Sequence, residues 1–237
     1  DGTSIFVADS AHFAINPKLR SNLPYDPLKD FAPVIELASS LIFLAVGANV
    51  PANNLQEIVA LAKSRPDGVP YGSSGSGTPH HLSVEVVQLE LGGKFVHVPF
   101  KGVAQSVPAL LSGDVMLVAS GPGALLPHVK SGKLRIISAI NSMRWSRLPE
   151  VPSFTDAGIT GLDVTIGYLV PAGTPPDTIR RLNEETARAL RLPDIAPKLP
   201  DVGLDLIAGS PQDFAQSIAR QQERYGRVVK ASGAKVD

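Results

Sequence analysis

The chain has 237 residues, with 22 Lys plus Arg balanced by 22 Asp plus Glu and a pI near 7.2. That argues against a nucleic-acid binder, which works through a basic stripe, and with no cysteine thiol catalysis, Cys-ligated zinc, iron–sulfur clusters and disulfides are excluded. The 21 glycines and 21 prolines are dispersed among apolar runs, as in a loop-rich globular protein of one large domain or two small ones.

The chain opens at Asp1 without a signal-peptide pattern, so it reads as a mature or truncated piece of a longer protein. Ile5–Ala8 reads as a short buried strand, followed by a polar turn at Asp9-Ser10. Ala32 to Val46 is apolar and β-prone, broken at Ser39-Ser40. Within it Leu41–Val46 is the longest wholly apolar run, and six residues fall far short of the ~20 of a membrane span. Asn53 or Asn54 caps a helix with Leu55, Ile58, Val59 and Ala62 on one face. Val69–Gly72 is a strand that runs into Gly72-Ser73-Ser74-Gly75-Ser76-Gly77. Thr78-Pro79 then starts a helix, a hydroxyl cap followed by Pro at the first helical position, which lasts to Gly92-Gly93. Strand Phe95–Pro99, a helix near Ala104–Leu111, strand Val115–Ala119, a helix around Ala124–Lys130 and strand Leu134–Ile140 follow. Such alternation predicts parallel strands with crossover helices, an α/β fold. Pro149, Pro152 and Gly158 mark a loop. Val164–Val170 is a strand and Ile179–Leu192 a helix with one solvated face. Ser210-Pro211-Gln212-Asp213 is a capping box for a last helix with Phe214, Ile218, Tyr225, Val228 and Val229 inward.

The segment Tyr71–His81 is the most informative stretch. Its glycines admit backbone N–H groups to a ligand, and the helix start adds a partial positive charge, so it suits an anion without Lys or Arg. A P-loop needs Lys where Thr78 stands, and a dinucleotide fingerprint from Gly75 needs Gly where His80 stands. No serine here has the flanking glycines of a nucleophile elbow. The plain alternative is a strand-to-helix turn that binds nothing. His80-His81 lacks the partners and spacing of a zinc site, since His12, His97 and His128 are scattered; no metal and no cofactor are expected. One of the two is instead a candidate donor to a bound anion, with an ordinary first-turn histidine as the alternative. Phe100-Lys101-Gly102 and Ser120-Gly121-Pro122-Gly123 follow strands, where α/β sheets place ligands; the alternative for Lys101 is an ordinary solvated surface lysine. Asp9-Ser10-Ala11-His12 is a third such strand end.

These loops come together with Asn16-Pro17, Tyr25-Asp26-Pro27, Asp30-Phe31, Pro99-Phe100-Lys101-Gly102, Pro127-His128 and Pro171-Ala172-Gly173-Thr174-Pro175. Over essentially its whole length the chain resembles the Bug (Bordetella uptake gene), TctC-like family of tripartite tricarboxylate transporter substrate-binding proteins. The resemblance implies a two-domain, Venus-flytrap α/β fold with parallel-rich sheets flanked by helices. Domain 1 would hold residues 1–40 and 168–237, and domain 2 residues 41–167, with crossing strands near Ile35–Val46 and Val164–Val170. The first βα unit of domain 1, which in the family supplies a Pro-Gly-Gly loop, precedes anything present here; its loss would leave an exposed sheet edge. The family's contact loops match Ser10, Ala11 and His12; Ser73, Ser74, Gly75, Ser76, Gly77, Thr78 and His81 rather than His80; Lys101 and Gly102; and Ser120. The family often has Asp near Ser120 and an aromatic near Thr165 or Ile166, and this chain has neither.

The resemblance therefore implies a periplasmic receptor and not an enzyme. It would bind a small carboxylate in the interdomain cleft: a di- or tricarboxylate, an acidic amino acid or an aromatic acid. Its partners would be the membrane subunits of the transporter and no nucleic acid. A monomer is expected, with a dimer through the exposed edge as the alternative. Two other readings stand beside it: an isomerase or hydrolase using the same cleft with His81 as base, and a truncated paralogue that binds nothing.

Overall fold

The computed structural model describes residues 2–234, and the chain forms two compact units. In chain order the elements are β1 (Phe6–Asp9), a π-helical turn (Ala11–Ile15) that runs into α1 (Asn16–Leu19), β2 (Phe31–Ser40), β3 (Phe43–Gly47) and α2 (Leu55–Ser64). Then come β4 (Val69–Ser73), α3 (Pro79–Leu91), β5 (Phe95–Pro99), α4 (Val103–Ser112), β6 (Leu117–Ser120), α5 (Pro122–Lys130) and β7 (Leu134–Ala139). β8 (Val164–Pro171), α6 (Pro176–Leu190), β9 (Leu204–Leu206) and α7 (Pro211–Ser232) complete the chain.

One unit comprises residues 2–40 and 163–227. Its sheet has the order β1-β8-β2-β9, and every pairing in it is antiparallel. The parallel-rich expectation therefore does not describe this unit. β8 lies between β1 and β2 as one continuous strand, so residues 163–167 belong here with the rest of it. Val34, Ile35, Val170 and Ala187 form the core between sheet and α6. α7 starts at the expected box: Ser210 Oγ accepts from the Asp213 N–H at 3.1 Å and donates to its carboxylate at 2.6 Å. The Phe214 ring then presses on Gly167 of β8, where a Cβ would lie 2.3 Å from Phe214 Cζ and 2.7 Å from the Ile35 carbonyl oxygen. β1 is an edge strand rather than a buried one, leaving Ile5 44% and Val7 57% exposed. The expected turn at Asp9-Ser10 is instead the start of helical winding at Ser10.

The other unit comprises residues 41–162 and 228–234. Its sheet has the order β5-β4-β6-β3-β7. β4 is parallel to β5 and β6, as the alternation predicts. β3 runs against β6 and β7, so it is the reversed strand of a mixed sheet. Leu41, Phe43, Val107, Leu110, Val118 and Trp145 are among its core residues. α2 begins where the sequence places it: Asn54 Oδ1 accepts from the Glu57 N–H at 2.9 Å, and Leu55, Ile58, Val59 and Ala62 are buried.

Candidate functional site

The second unit's parallel strands end together. Ser73 of β4 pairs with Pro99 of β5, and Gly72 with Val118 of β6. Each strand then turns directly into a helix, so the N-termini of α3, α4 and α5 gather at one sheet edge. Helix N-termini leave backbone N–H groups unbonded and carry about half a positive charge. α3 is capped by Thr78, but α4 and α5 begin at Gly102 and Gly121 with no side-chain cap. A Cβ at Gly102 or Gly123 would meet nothing within 4 Å, so the backbone there is open to approach. Lys101 is exposed beside it, and its N–H donates to Gln105 Oε1 at 3.1 Å. Ser120 ends β6 fully buried, and its hydroxyl has no partner among the described residues; the same holds for Ser106 on α4, which the sequence did not single out.

The Gly/Ser loop is built differently from the sequence expectation. Its hydroxyls bond one another and the loop backbone. Ser73 Oγ accepts from the Gly75 N–H at 3.1 Å and lies 2.7 Å from His97 Nε2. Thr78 Oγ1 donates to the Gly75 carbonyl at 2.7 Å and accepts from the His81 N–H at 3.3 Å. Ser74 Oγ donates to Thr78 Oγ1 at 3.2 Å and lies 2.8 Å from His80 Nδ1. Gly75 and Gly77 take φ of +131° and +75°, where other residues are strained. Ser76 is the exposed hydroxyl of the loop.

His81 is only 6% exposed. Its Nδ1 accepts from the Gly77 N–H at 3.0 Å, and its Nε2 lies 3.7 Å from Glu85 Oε1. Burial pushes its pKa down to about 4, with nearby His97 adding to the effect; burial alone takes His80 to about 4 and lowers His97. Glu85 is held above the usual carboxylate range by burial, against a hydrogen bond from the Tyr71 hydroxyl at 2.6 Å. Tyr71, Glu85 and His97 are thus part of the site's framework. His97 was legible only as a lone histidine, because its link to Ser73 spans 24 residues.

The first unit holds the Asp9–His12 turn. The Asp9 carboxylate accepts from the N–H groups of Ala11 at 3.0 Å and His12 at 3.3 Å, and lies 2.7 Å from His12 Nδ1. Ser10 points inward: its hydroxyl donates to Gln221 Oε1 at 2.6 Å and accepts from the Thr165 N–H at 2.8 Å. Ala11 and His12 remain half-buried at the surface.

Residues 1–234 match the model of the tripartite tricarboxylate transporter family receptor, TctC. The chain belongs to that family. A curated relative from Cupriavidus necator, described as the UPF0065 protein in the gbd 5′ region, is 33% identical over 90% of this chain. The chain spans 65% of that relative's length. Among solved structures, R. palustris Rpa4515 with adipate superposes with a TM-score of 0.82 at 29% identity, over 99% of this chain and 79% of its own. MatC from Rhodopseudomonas palustris with bound malate gives 0.77 at 26%, over 97% of this chain and 80% of its own. The TctC membership and the α/β periplasmic-binding-protein fold class expected from the loops are therefore both met.

Proposed function

We propose that this TctC-family chain is an extracytoplasmic receptor for a small carboxylate, acts in the periplasm, and hands its ligand to the membrane subunits of a tripartite transporter without chemical change. The observation that carries this reading is the convergence of three helix N-termini on one sheet edge, two of them without a side-chain cap. Such an edge offers N–H donors and dipoles to an anion. The adipate and malate of the two solved relatives make an aliphatic dicarboxylate the first ligand class to try. In this reading the two units are the two lobes of the receptor. Ser73, Ser74, Gly75, Ser76, Gly77, Thr78 and His81, with Lys101, Gly102 and Ser120, build the second unit's part of the site, and Ala11 and His12 the first unit's, where the buried Ser10 only anchors the turn from inside. Lys101 supplies an exposed cation at the rim, and the loop hydroxyls and His81 hold the backbone in shape.

The enzymatic reading would use His81 as a base. Both of its ring nitrogens already face partners inside the unit, Gly77 and Glu85, which favours a holding role. The test is a thermal-shift screen with mono-, di- and tricarboxylates and acidic amino acids, followed by calorimetry on the hits. A ligand at 100 times its Kd stabilises by about 2.7 kcal/mol, a rise of several degrees for a protein of this size. A panel without a hit overturns the reading for this chain, and NMR evidence that a bound acid is consumed favours the enzyme.

A further inference from the structure

Beneath the Gly/Ser loop two imidazole rings are stacked, and each is tied to the loop. The His81 and His97 centroids are 3.9 Å apart with planes at 19°, and Tyr71 stacks on His97 at 5.0 Å. His97 Nε2 reaches Ser73 Oγ, which in turn accepts from the Gly75 N–H. His81 Nδ1 accepts directly from the Gly77 N–H. The rings therefore hold the loop at two glycines that both have positive φ.

The hydrogen bonds also fix the form of His81. A nitrogen that accepts from an N–H must carry the lone pair, so the ring proton sits on Nε2. That nitrogen faces Glu85 Oε1 at 3.7 Å, and the same oxygen accepts a hydrogen bond from the Tyr71 hydroxyl at 2.6 Å. The Gly77 N–H on Nδ1 selects this tautomer, and a carboxylate near Nε2, at ion-pair distance and beyond hydrogen-bond reach, is compatible with it.

We propose that Glu85, His81 and His97 form a proton-operated latch on loop 73–78: neutral His81 holds the loop closed on its framework, and protonation of His81 releases Gly77. Glu85 and His97 are positioning residues in this device. Its consequence for ligand binding rests on the carboxylate reading, whereas the latch itself is a property of the empty protein.

The chemistry is one of donors and acceptors. A proton on His81 Nδ1 would face the Gly77 N–H, donor against donor, and the bond at 3.0 Å is lost. A charge on His81 also meets the stacked His97, so the two rings resist being charged together. The groups facing His81 are Tyr71 from β4, His97 from β5 and Glu85 from its own helix; only an ionised Glu85 would favour a charged ring, and burial, which raises its own pKa, leaves it largely protonated where His81 titrates. His80 is turned to Ser74. β6 packs on α3 with Leu117–Ser120, which carries no titratable group. α2 also packs on α3, and its Lys63 lies at the far end, against Gly92.

The experiment is a pH titration of the empty, isotope-labelled protein by NMR, reading imidazole nitrogens and the Gly75 and Gly77 amides together. The expected result is the Nε2–H tautomer for His81 at neutral pH, and a Gly77 amide signal that shifts with the midpoint of the His81 ring while the circular dichroism is still native. The other tautomer, or a Gly77 amide indifferent to that midpoint, overturns the latch. His81→Asn offers an acceptor in place of Nδ1 without a titrating ring, so in that variant Gly77 should ignore pH; a Gly77 shift that persists there overturns the latch too. Malate affinity is then compared between the two proteins across the same range, so that the titration of malate itself cancels. One pH unit below the ring's midpoint, the native protein should have lost about tenfold more affinity than His81→Asn. Equal losses overturn the link from latch to ligand. If malate and the other acids bind neither protein at neutral pH, the carboxylate reading has failed while the NMR result still decides the latch.

Discussion

Thr78→Val tests whether the loop is held by hydroxyl bonding or merely by packing. Valine has nearly the shape of threonine, so the packing is kept and the hydroxyl is lost. Thr78 Oγ1 caps the His81 N–H, donates to the Gly75 carbonyl and accepts from Ser74. Losing an N-cap costs about 1 kcal/mol. The other two bonds contribute less than their usual ~1 kcal/mol each, because the Gly75 carbonyl also accepts from Ser73 Oγ and Ser74 Oγ keeps His80. The sum is about 1–2 kcal/mol, which for a protein of this size lowers Tm by roughly 2–8 °C. Thr78→Ser keeps all three bonds and loses only a methyl group, so it should stay close to the native protein. The assay is thermal denaturation of the three proteins side by side, with calorimetry of any carboxylate that binds; affinity should fall for valine and hold for serine. A valine variant as stable as the native protein refutes the reasoning. So does a serine variant that falls as far as valine, which would make the methyl group, not the hydroxyl, the source of the stability.

Gly167→Ala places a Cβ 2.3 Å from Phe214 Cζ and 2.7 Å from the Ile35 carbonyl; overpacking of this kind costs about 1–3 kcal/mol or more. Adding Phe214→Leu frees the ring contact but not the backbone one, so it should recover only part of the loss; a native-like melt for Gly167→Ala alone would contradict the packing described. Stability should also fall on acidification. The unfolded chain takes up protons at the ordinary histidine pKa near 6.5, while folded His81 waits until about 4, so stability is lost as the pH drops through that window and levels off below it. For His81 the loss between pH 7 and 4.5 is on the order of 2–3 kcal/mol. Urea titrations at the two pH values should show it, and His81→Asn should remove the His81 share while His80 and His97, whose pKa values burial also lowers, keep theirs; an unchanged pH dependence in that variant would assign the loss to other groups.

The parts of the fold legible in the sequence are those specified by neighbouring residues. Thr78-Pro79 and Gly92 mark the bounds of α3 because cap, first-turn proline and terminal glycine act within one turn. The Ser210 box works the same way for α7. What stayed hidden depends on partners far along the chain. β1 has the composition of a buried strand, and only its place at the sheet edge exposes Val7. β9 is three residues long and exists through its pairing with β2. The break at Ser39-Ser40 was visible in the residues, whereas that the strands on either side belong to different sheets came only from the family resemblance, which divides the chain between residues 40 and 41. Within the site, the residue types of the Gly/Ser loop stood out, and their roles did not. Nothing local announces that Ser73 is claimed by His97, or that Ser10 is claimed by Gln221.

That difference in role changes what the loop can recognise. A loop rich in serine and threonine looks like a set of hydroxyls presented to a ligand. Here Ser73, Ser74 and Thr78 spend their hydrogen bonds on the loop itself, and even the Gly75 N–H is taken by Ser73. A Gly75 substitution would therefore act by disturbing φ at +131° and the Ser73 contact, not by removing a donor from a ligand. On the carboxylate reading, what remains to meet an anion is the first-turn N–H groups that the uncapped helices α4 and α5 leave unbonded, with Lys101 at the rim; Pro122 has no N–H, and those of Gln105 and Ala124 are taken by the Gly102 and Gly121 carbonyls. Such donors read negative charge and the reach of a carboxylate, and they read little of the carbon chain behind it. Discrimination among acids then has to come from the apolar and steric features around this edge. Phe100 is one of them: its ring would lie 3.1 Å from a Cβ at Gly72, so it covers the strand end directly beside Lys101. Trimming that ring to leucine should alter the ranking of short and long diacids more than it alters the affinity for carboxylates as a class.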